Sequence, residues 1–278
     1  MTIFVFTALL GAAFFHASWN ALVKNSADKI KSMLVLTLVH GILGIFVAFF
    51  VEFPKLEVWP WLITSAIFHV IYQGCLALAY NSGDLSRVYP IARGTAPILV
   101  LLVFYFVIET SMTHTEILGV LLLGFGVIGM AQGAFSNREN LILLPYTLGA
   151  AIGTAGYTIF DGIGSRISTD PSSYIAWLFI ITVPIFFSVI LIFQGLKIFK
   201  IEQTTWKIGS VAGIFSFGSY WVAIWAMTQA PIPLVAALRE TSILFAVLIG
   251  IIIFRDKTNT KKIIAASLIL AGIIVVRL

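Results

Sequence analysis

The sequence predicts an all-α integral membrane protein of ten transmembrane helices, built as an inverted repeat of two five-helix units. Three observations predict this fold class: the composition, the lengths of the apolar runs and a similarity between the two halves. Of the 278 residues, 60% are hydrophobic and only 10% are charged, whereas soluble domains carry about 25% charged residues. A chain of this size cannot bury so much apolar surface in one water-soluble core. The composition therefore excludes an ordinary soluble enzyme, a disordered protein and a disulfide scaffold.

The apolar runs supply the ten helices, because about 20 apolar residues are needed to cross a bilayer. Most runs contain no charged residue, while 88–108 contains only Arg93 and 140–165 only Asp161. The run over 208–254 is too long for one helix, and Pro231 and Pro233 divide it because proline stops a helix. The predicted helices span 2–23, 32–51, 58–81, 86–108 and 115–136 in the first repeat (1–138), and 141–166, 171–196, 206–229, 232–254 and 259–277 in the second (139–278).

Lysine and arginine residues are distributed unevenly over the loops. Alternate loops collect eleven of them on one side and three on the other. Cytoplasmic loops carry the excess of positive charge. We therefore expect a multi-pass protein of the cell inner (cytoplasmic) membrane, with the first loop cytoplasmic and both termini outside.

The two halves of the chain resemble each other. The segment Leu10–Ala13 recurs as Leu148–Ala151, and with a slightly longer offset Arg93 corresponds to Arg239. Chance could produce the matches among leucine, glycine and alanine, but arginine inside a membrane helix is rare. Five helices per unit make the second unit enter the membrane from the opposite side. This is the inverted-repeat plan of secondary transporters, whose substrate sites lie near the midplane.

The whole chain resembles the ten-helix, EamA-type members of the drug/metabolite transporter superfamily. The residues that support the resemblance are His16–Lys24, Tyr89–Pro97, Glu109 and Leu238–Ser242. The second half departs from the family pattern at Phe254–Asp256, where a Gly-Glu pair is common. The resemblance implies a central cavity lined by helices 1, 3, 4, 6, 8 and 9. It leaves the substrate open, because such transporters carry amino acids, sugars, nucleotide derivatives, amines and other metabolites.

Two arginines lie deep inside predicted helices. Arg93 is about 13 Å along its helix at 1.5 Å per residue, and Arg239 is equally deep in the other repeat. Burying a charge at the bilayer centre costs about 2.5–3.5 kcal/mol, so such charges are functional by default. One reading is a pair that binds an anion, because guanidinium groups suit carboxylate or phosphate. The alternatives are an ion pair, in which Glu240 could reach Arg93 and leave Arg239 for ligand, or a clamp on carbonyls freed near Pro90 or Pro231.

Polar and aromatic residues form one stripe on several otherwise apolar helices. Such a stripe should face a cavity rather than lipid, although Ser, Thr and His also bond between helices without touching ligand, and deep aromatic residues often only pack. We expect substrate-binding roles for His16, Trp19, Asn20, Tyr72, Gln73, Tyr89, Arg93, Tyr157, Ser219, Tyr220 and Arg239. Glu240 or Asp161 could couple protons or pair with a charge. Small residues on helices 5 and 10, among them Gly119, Gly126 and Gly272, should allow close packing.

These features predict a secondary active transporter that works by alternating access on a small anionic or zwitterionic metabolite, such as an amino acid or organic acid. The alternative is a carrier of cationic or quaternary-amine compounds that uses an aromatic cage and Glu240. A membrane-embedded enzyme is a remote third reading. We expect no catalytic residues, cofactor, metal site or nucleic-acid partner, because no motif or ligand spacing for them stands out. The expected partners are the small-molecule substrate and the lipid bilayer, with a homodimer left open.

Overall fold

The computed structural model describes residues 1–82, 85–108, 112–131, 138–254 and 260–277. Over these ranges the chain is helical and contains no strand. The α-helices are α1 (Ile3–Lys24), α2 (Lys29–Ala48), α3 (Trp59–Ser82), α4 (Leu85–Val103), α5 (His114–Gly129), α6 (Arg138–Ile167), α7 (Pro171–Gln194), α8 (Gln203–Gln229), α9 (Ile232–Arg239), α10 (Ser242–Phe254) and α11 (Thr260–Arg277). Glu109 and 255–256, which contribute to the family resemblance, lie outside the described residues, as does the side chain of Tyr89.

Six helical segments of the described chain are long and apolar enough to cross a membrane. They carry exposed large apolar side chains, including Phe46, Phe106, Phe193 and Ile214, which would be costly to expose to water. The six segments are Ile3–Lys24, Lys29–Ala48, Pro90–Ile108, Pro171–Phe199, Gln203–Gln229 and Ile232–Ile249. The all-helical, membrane-spanning character predicted from the composition is therefore confirmed.

Capping side chains in the local sequence mark the first residues of several helices. Thr113 and Glu116 form a reciprocal capping box at the beginning of α5, which satisfies two of the backbone N–H groups that a helix start leaves without partners. Asp170 caps α7 with its carboxylate, and Pro171 occupies the first turn, where its missing N–H costs nothing. Asp28 caps α2 in the same way.

The helices pack so that equivalent contacts recur when the two repeats are exchanged. Helix α3 packs on α6 as α1 packs on α8, and α2 contacts both α7 and α8. The last helices of the repeats, α5 and α11, also pack closely on each other. A Cβ at Gly126 would lie 2.8 Å from Ile269 Cγ1, and one at Gly272 would lie 3.0 Å from the Gly119 carbonyl oxygen. Small residues are therefore required where these backbones approach each other.

The segment predicted as one helix over 232–254 is interrupted at Glu240 and Thr241, although Ile232–Ile249 is still long and apolar enough to cross a membrane. The N–H groups of these two residues donate to the carbonyls of Ala237 and Leu238, three residues back instead of four. The Thr241 hydroxyl also donates to the Leu238 carbonyl, at 2.7 Å. This tightened turn ends α9 at Arg239 and lets α10 begin at Ser242.

A different arginine stabilises the end of α8 before Pro231. Because proline lacks an N–H, the carbonyl of Met227 loses its helical partner. The Arg166 Nε donates to that carbonyl at 2.8 Å, and its Nη2 donates to the Ala230 carbonyl at the same distance. Near Pro231, the role of helix-end clamp considered for Arg93 and Arg239 is thus filled by Arg166.

Candidate substrate cavity

A cavity lies among seven helices of the bundle. Its volume is about 40 Å³, against the roughly 10–15 Å³ that a single water needs, so it has room for a few waters in this conformation. Most of its wall belongs to the larger apolar cluster of the protein. The lining residues are His16 and Trp19 of α1, Met33, Leu36 and His40 of α2, His69, Tyr72 and Gln73 of α3, Tyr157 of α6, Phe179 of α7, Ser216 and Tyr220 of α8, and Arg239 of α9.

Arg239 is the cationic residue in this lining. Helix α9 ends at Arg239, so the break in the predicted helix positions the side chain at the cavity wall. Its Cζ lies 4.9 Å from the centre of the Tyr220 ring, a distance at which the ring face attracts a cation. Among the described residues, no carboxylate lies within ion-pair distance of Arg239. Its positive charge therefore faces the cavity with an aromatic ring as support.

Arg93 has a different environment. Its Nε lies 2.8 Å from Oε2 of Glu240, and both side chains are almost fully buried. Its Nη2 also donates to the Ser242 hydroxyl at 3.4 Å. Arg93 of the first repeat thus bonds to both sides of the break in the second repeat. Of the alternatives open at the sequence level, the structure has the Arg93–Glu240 ion pair, and neither member belongs to the described cavity lining.

Aromatic rings form most of the remaining wall. His69 stacks face to face on Tyr157, with ring centres 4.1 Å apart and planes 10° from parallel. Tyr220 meets both rings edge-on, and Tyr72 meets Tyr157 in the same way. Because each ring is held by a neighbour, the orientation of these side chains is largely fixed before a ligand arrives.

Asp161 lies behind this wall and is fully buried. Its carboxylate accepts hydrogen bonds from the hydroxyls of Tyr174, at 3.0 Å, and Tyr220. His69 Nε2 lies 3.1 Å from the same carboxylate. Helices α3, α6, α7 and α8 therefore meet at one acidic group, and two of the residues that bond to it, His69 and Tyr220, also line the cavity.

The other predicted site residues divide between the cavity and the helix contacts. The Trp19 indole N–H donates to His16 Nδ1 at 3.3 Å, and both side chains line the cavity. Asn20 donates to the His16 carbonyl at 2.8 Å, within its own helix. Ser219 donates to the Ala12 carbonyl at 2.8 Å and so connects α8 to α1. Neither Asn20 nor Ser219 is part of the described lining.

The lining also includes residues to which the sequence analysis gave no binding role. Helices α2 and α7 contribute His40, Phe179 and two apolar residues, while the described lining takes none from α4. A signal for His40 was available, because histidine, like arginine, is rare inside membrane helices. Phe179 gave no such signal, because it is one of 23 phenylalanines.

Comparison with known proteins identifies the family. The model of the EamA-like transporter family matches residues 3–132 and again residues 141–278. The chain belongs to this family. The recognition made from the sequence motifs is thereby confirmed, and the two matched segments correspond to its two-repeat architecture. This EamA-like protein is accordingly a multi-pass membrane protein of a transporter family.

Solved structures support the fold. One of them, described only as "Crystal structure of protein", has a TM-score of 0.74 and 16% sequence identity, and the alignment covers 99% of this chain and 96% of that one. A likeness at this level of identity shows the fold alone. A comparison with curated proteins gives no match.

Proposed function

We propose that this EamA-like protein transports a small anionic or zwitterionic metabolite by alternating access, with Arg239 as the group that binds the substrate's acid. The observation that supports this most directly is the different pairing of the two intramembrane arginines. Arg93 is neutralised by Glu240, whereas Arg239 faces the cavity. A guanidinium in a site shielded from water binds a carboxylate through two parallel hydrogen bonds.

The aromatic wall suits the rest of such a substrate. Trp19, Tyr72 and Tyr157 provide apolar ring surface, while His16 and Gln73 add polar groups to the same cavity. A few polar groups in a mainly apolar pocket fix the orientation of a ligand and determine its specificity. An amino acid or organic acid with an apolar or aromatic side chain would satisfy both kinds of surface.

The small volume of the cavity supports a mechanism that needs movement. A drug-sized ligand occupies a pocket of about 300–1,000 Å³, so the surrounding helices must separate before a metabolite can enter. The break at Glu240 and Thr241 is a natural bending point, because discontinuous helices line the substrate sites of many secondary transporters. Arg93 contacts both sides of that break and would hold it in register while α9 and α10 move.

A cation carrier is the second candidate, and a specific observation favours it: the cavity wall is rich in aromatic rings, which attract ammonium groups. Two features argue against it. Arg239 already occupies the face of Tyr220, and Glu240, the acidic group such a carrier would use, is engaged by Arg93. Any loss of amine transport on replacement of Glu240 would then come from breaking its ion pair with Arg93. It would not show that Glu240 binds the amine itself.

The proposed membrane is the cytoplasmic membrane, with the lysine-rich loops inside the cell. Lys31 and Lys200 lie at the same surface pocket, so the loops before α2 and α8 share one face of the bundle. At the two ends of the given chain, the Arg277 side chain donates a hydrogen bond to the Met1 carbonyl at 2.9 Å. This contact supports an arrangement in which both termini lie on one side, and the charge bias assigns that side to the outside.

The experiment is a thermal-shift screen of the detergent-purified protein against amino acids, carboxylates, sulfonates, phosphonates, sugars and quaternary amines. A ligand at 100 times its dissociation constant stabilises the folded state by about 2.7 kcal/mol, which such a screen detects. The proposal expects an acid to stabilise the wild type, Arg239→Gln to lose the shift, and the paired replacement Arg93→Met with Glu240→Leu to keep it. A shift produced only by amines, unchanged in Arg239→Gln, would establish the cation carrier instead.

A further inference from the structure

We propose that His69 is the proton-binding residue of this transporter and that Asp161 is the fixed counter-charge that positions it, so that substrate movement is coupled to a proton. The inference rests on the proposed transport function and deepens it by naming the coupling ion and its site.

The geometry that supports the proposal is the position of His69 between the cavity and a buried acid. Its ring lines the cavity, and its Nε2 lies 3.1 Å from Asp161 Oδ2. Stacking on Tyr157 fixes the plane of the ring. With Nε2–H donating to the carboxylate, the ring gains a proton at Nδ1, and the resulting imidazolium pairs with the carboxylate of Asp161. Histidine is suited to this role because its charge can change between about pH 5 and pH 8.

Asp161 itself is not part of the described cavity lining. It is fully buried, and its oxygens accept bonds from Tyr174 and Tyr220 in addition to the contact with His69. Asp161 is therefore held by three neighbours away from the cavity, and His69 is the member of this cluster that reaches both the acid and the cavity.

The other candidate acid, Glu240, is less suitable for this role. Its carboxylate is engaged by Arg93 across the repeat interface at 2.8 Å, and it does not belong to the cavity lining. A proton on Glu240 would break the contact that holds the two sides of the helix break. A proton on His69 leaves every described contact of Asp161 in place.

The charges around His69 make proton binding and anion binding favour each other. Each packed element presents polar or charged groups toward it: His16 of α1, His40 of α2, Tyr72 and Gln73 of α3, Tyr157 and Asp161 of α6, Tyr174 of α7 through Asp161, Tyr220 of α8 and Arg239 of α9. The Tyr220 ring centre is 5.2 Å from the His69 ring and 4.9 Å from Arg239 Cζ. Because His69 and Arg239 line the same cavity, an anion bound at Arg239 would be attracted by a protonated His69. By linkage, each ligand strengthens the binding of the other by the same factor, typically about 5–150-fold.

The test needs no substrate, so its failure is separable from failure of the transport proposal. Proteoliposomes on a solid-supported membrane receive a pH jump from about 8 to about 6, within the range where histidine changes charge, and the transient current is recorded. We expect a proton-binding current from the wild type. It should fall to the level of protein-free liposomes in His69→Gln and in Asp161→Asn, and it should persist in His114→Gln, which replaces an exposed histidine at the start of α5.

Three results would overturn the proposal: no current from the wild type, a current retained in His69→Gln, or a current that disappears in His40→Gln instead. If Asp161→Asn does not fold, an infrared difference spectrum of the wild type, acid minus alkaline, shows which group binds the proton. A protonated-carboxyl band that disappears in Glu240→Gln would place the proton on Glu240 and contradict the assignment, whereas imidazolium bands that are lost in His69→Gln would support it.

Discussion

The ion pair between Arg93 and Glu240 should stabilise the fold rather than bind substrate, and its removal has a calculable cost. At 2.8 Å, the attraction between unit charges is about 6 kcal/mol with an effective dielectric constant near 20. Much of this offsets the cost of taking both groups out of water. Removing one partner leaves the other charge buried alone, so Arg93→Met or Glu240→Leu should each lower the free energy of unfolding by about 3–5 kcal/mol.

The double replacement should be far less harmful than either single one. Two apolar side chains leave no unpaired charge, and buried ion pairs replaced in this way are often neutral or even stabilised. SDS-induced unfolding in mixed micelles, followed through the seven tryptophans, measures all four proteins of the cycle. Additive effects of the two replacements would show that Arg93 and Glu240 do not stabilise each other, because residues in contact should show a large interaction energy.

Three further predictions concern single contacts. Gly126→Ala should lower the free energy of unfolding by about 1–3 kcal/mol, because its Cβ would lie 2.9 Å from the Ile269 backbone nitrogen. Gly129→Ala is the control: its Cβ would meet only a methyl group at 3.5 Å, so it should be neutral in the same unfolding assay. Arg166→Gln should cost about 1–2 kcal/mol by leaving two carbonyls beside Pro231 with weaker partners; a melting curve identical to the wild type would contradict this. Tyr220→Phe should lower the free energy of unfolding by about 1.5–3 kcal/mol, because it removes the hydrogen bond to the Asp161 carboxylate. Acid binding should remain, because the ring next to Arg239 is kept. Loss of the thermal shift with the acid would show that the hydroxyl is needed for binding.

The general character of the fold could be predicted from the sequence because membrane helices depend on local composition. An apolar run of sufficient length is helical and spans the bilayer whatever surrounds it. The break at Glu240 and Thr241 could not be predicted in this way. It depends on a tightened turn and on Arg93, which reaches the break from the other repeat, and such contacts have no local signature.

The candidate site was predictable in its residue types, whereas its pairings were left as alternatives, one of which was the Arg93–Glu240 ion pair. The rarity of intramembrane charge singled out Arg93, Arg239, Glu240 and Asp161. Which arginine faces the cavity is determined by the rotation of each helix about its axis, and this follows from packing between the repeats. His69 illustrates the same limit, because its role follows from proximity to Asp161, 92 positions further along the chain.

Arg239 is proposed to bind the acidic group of the substrate, and Arg93 to stabilise the fold through Glu240. The most direct test is the initial rate of counterflow into proteoliposomes of the acid that stabilises the wild type most. Loss of a charge-assisted bond worth about 1.5–3 kcal/mol should slow Arg239→Gln by about tenfold to a hundredfold, and Arg239→Lys should fall between the two. The Arg93→Met, Glu240→Leu protein should transport near the wild-type rate. Wild-type transport by Arg239→Gln would show that Arg239 does not bind the substrate, and selective loss in the normally folded double variant would show that the Arg93–Glu240 pair does.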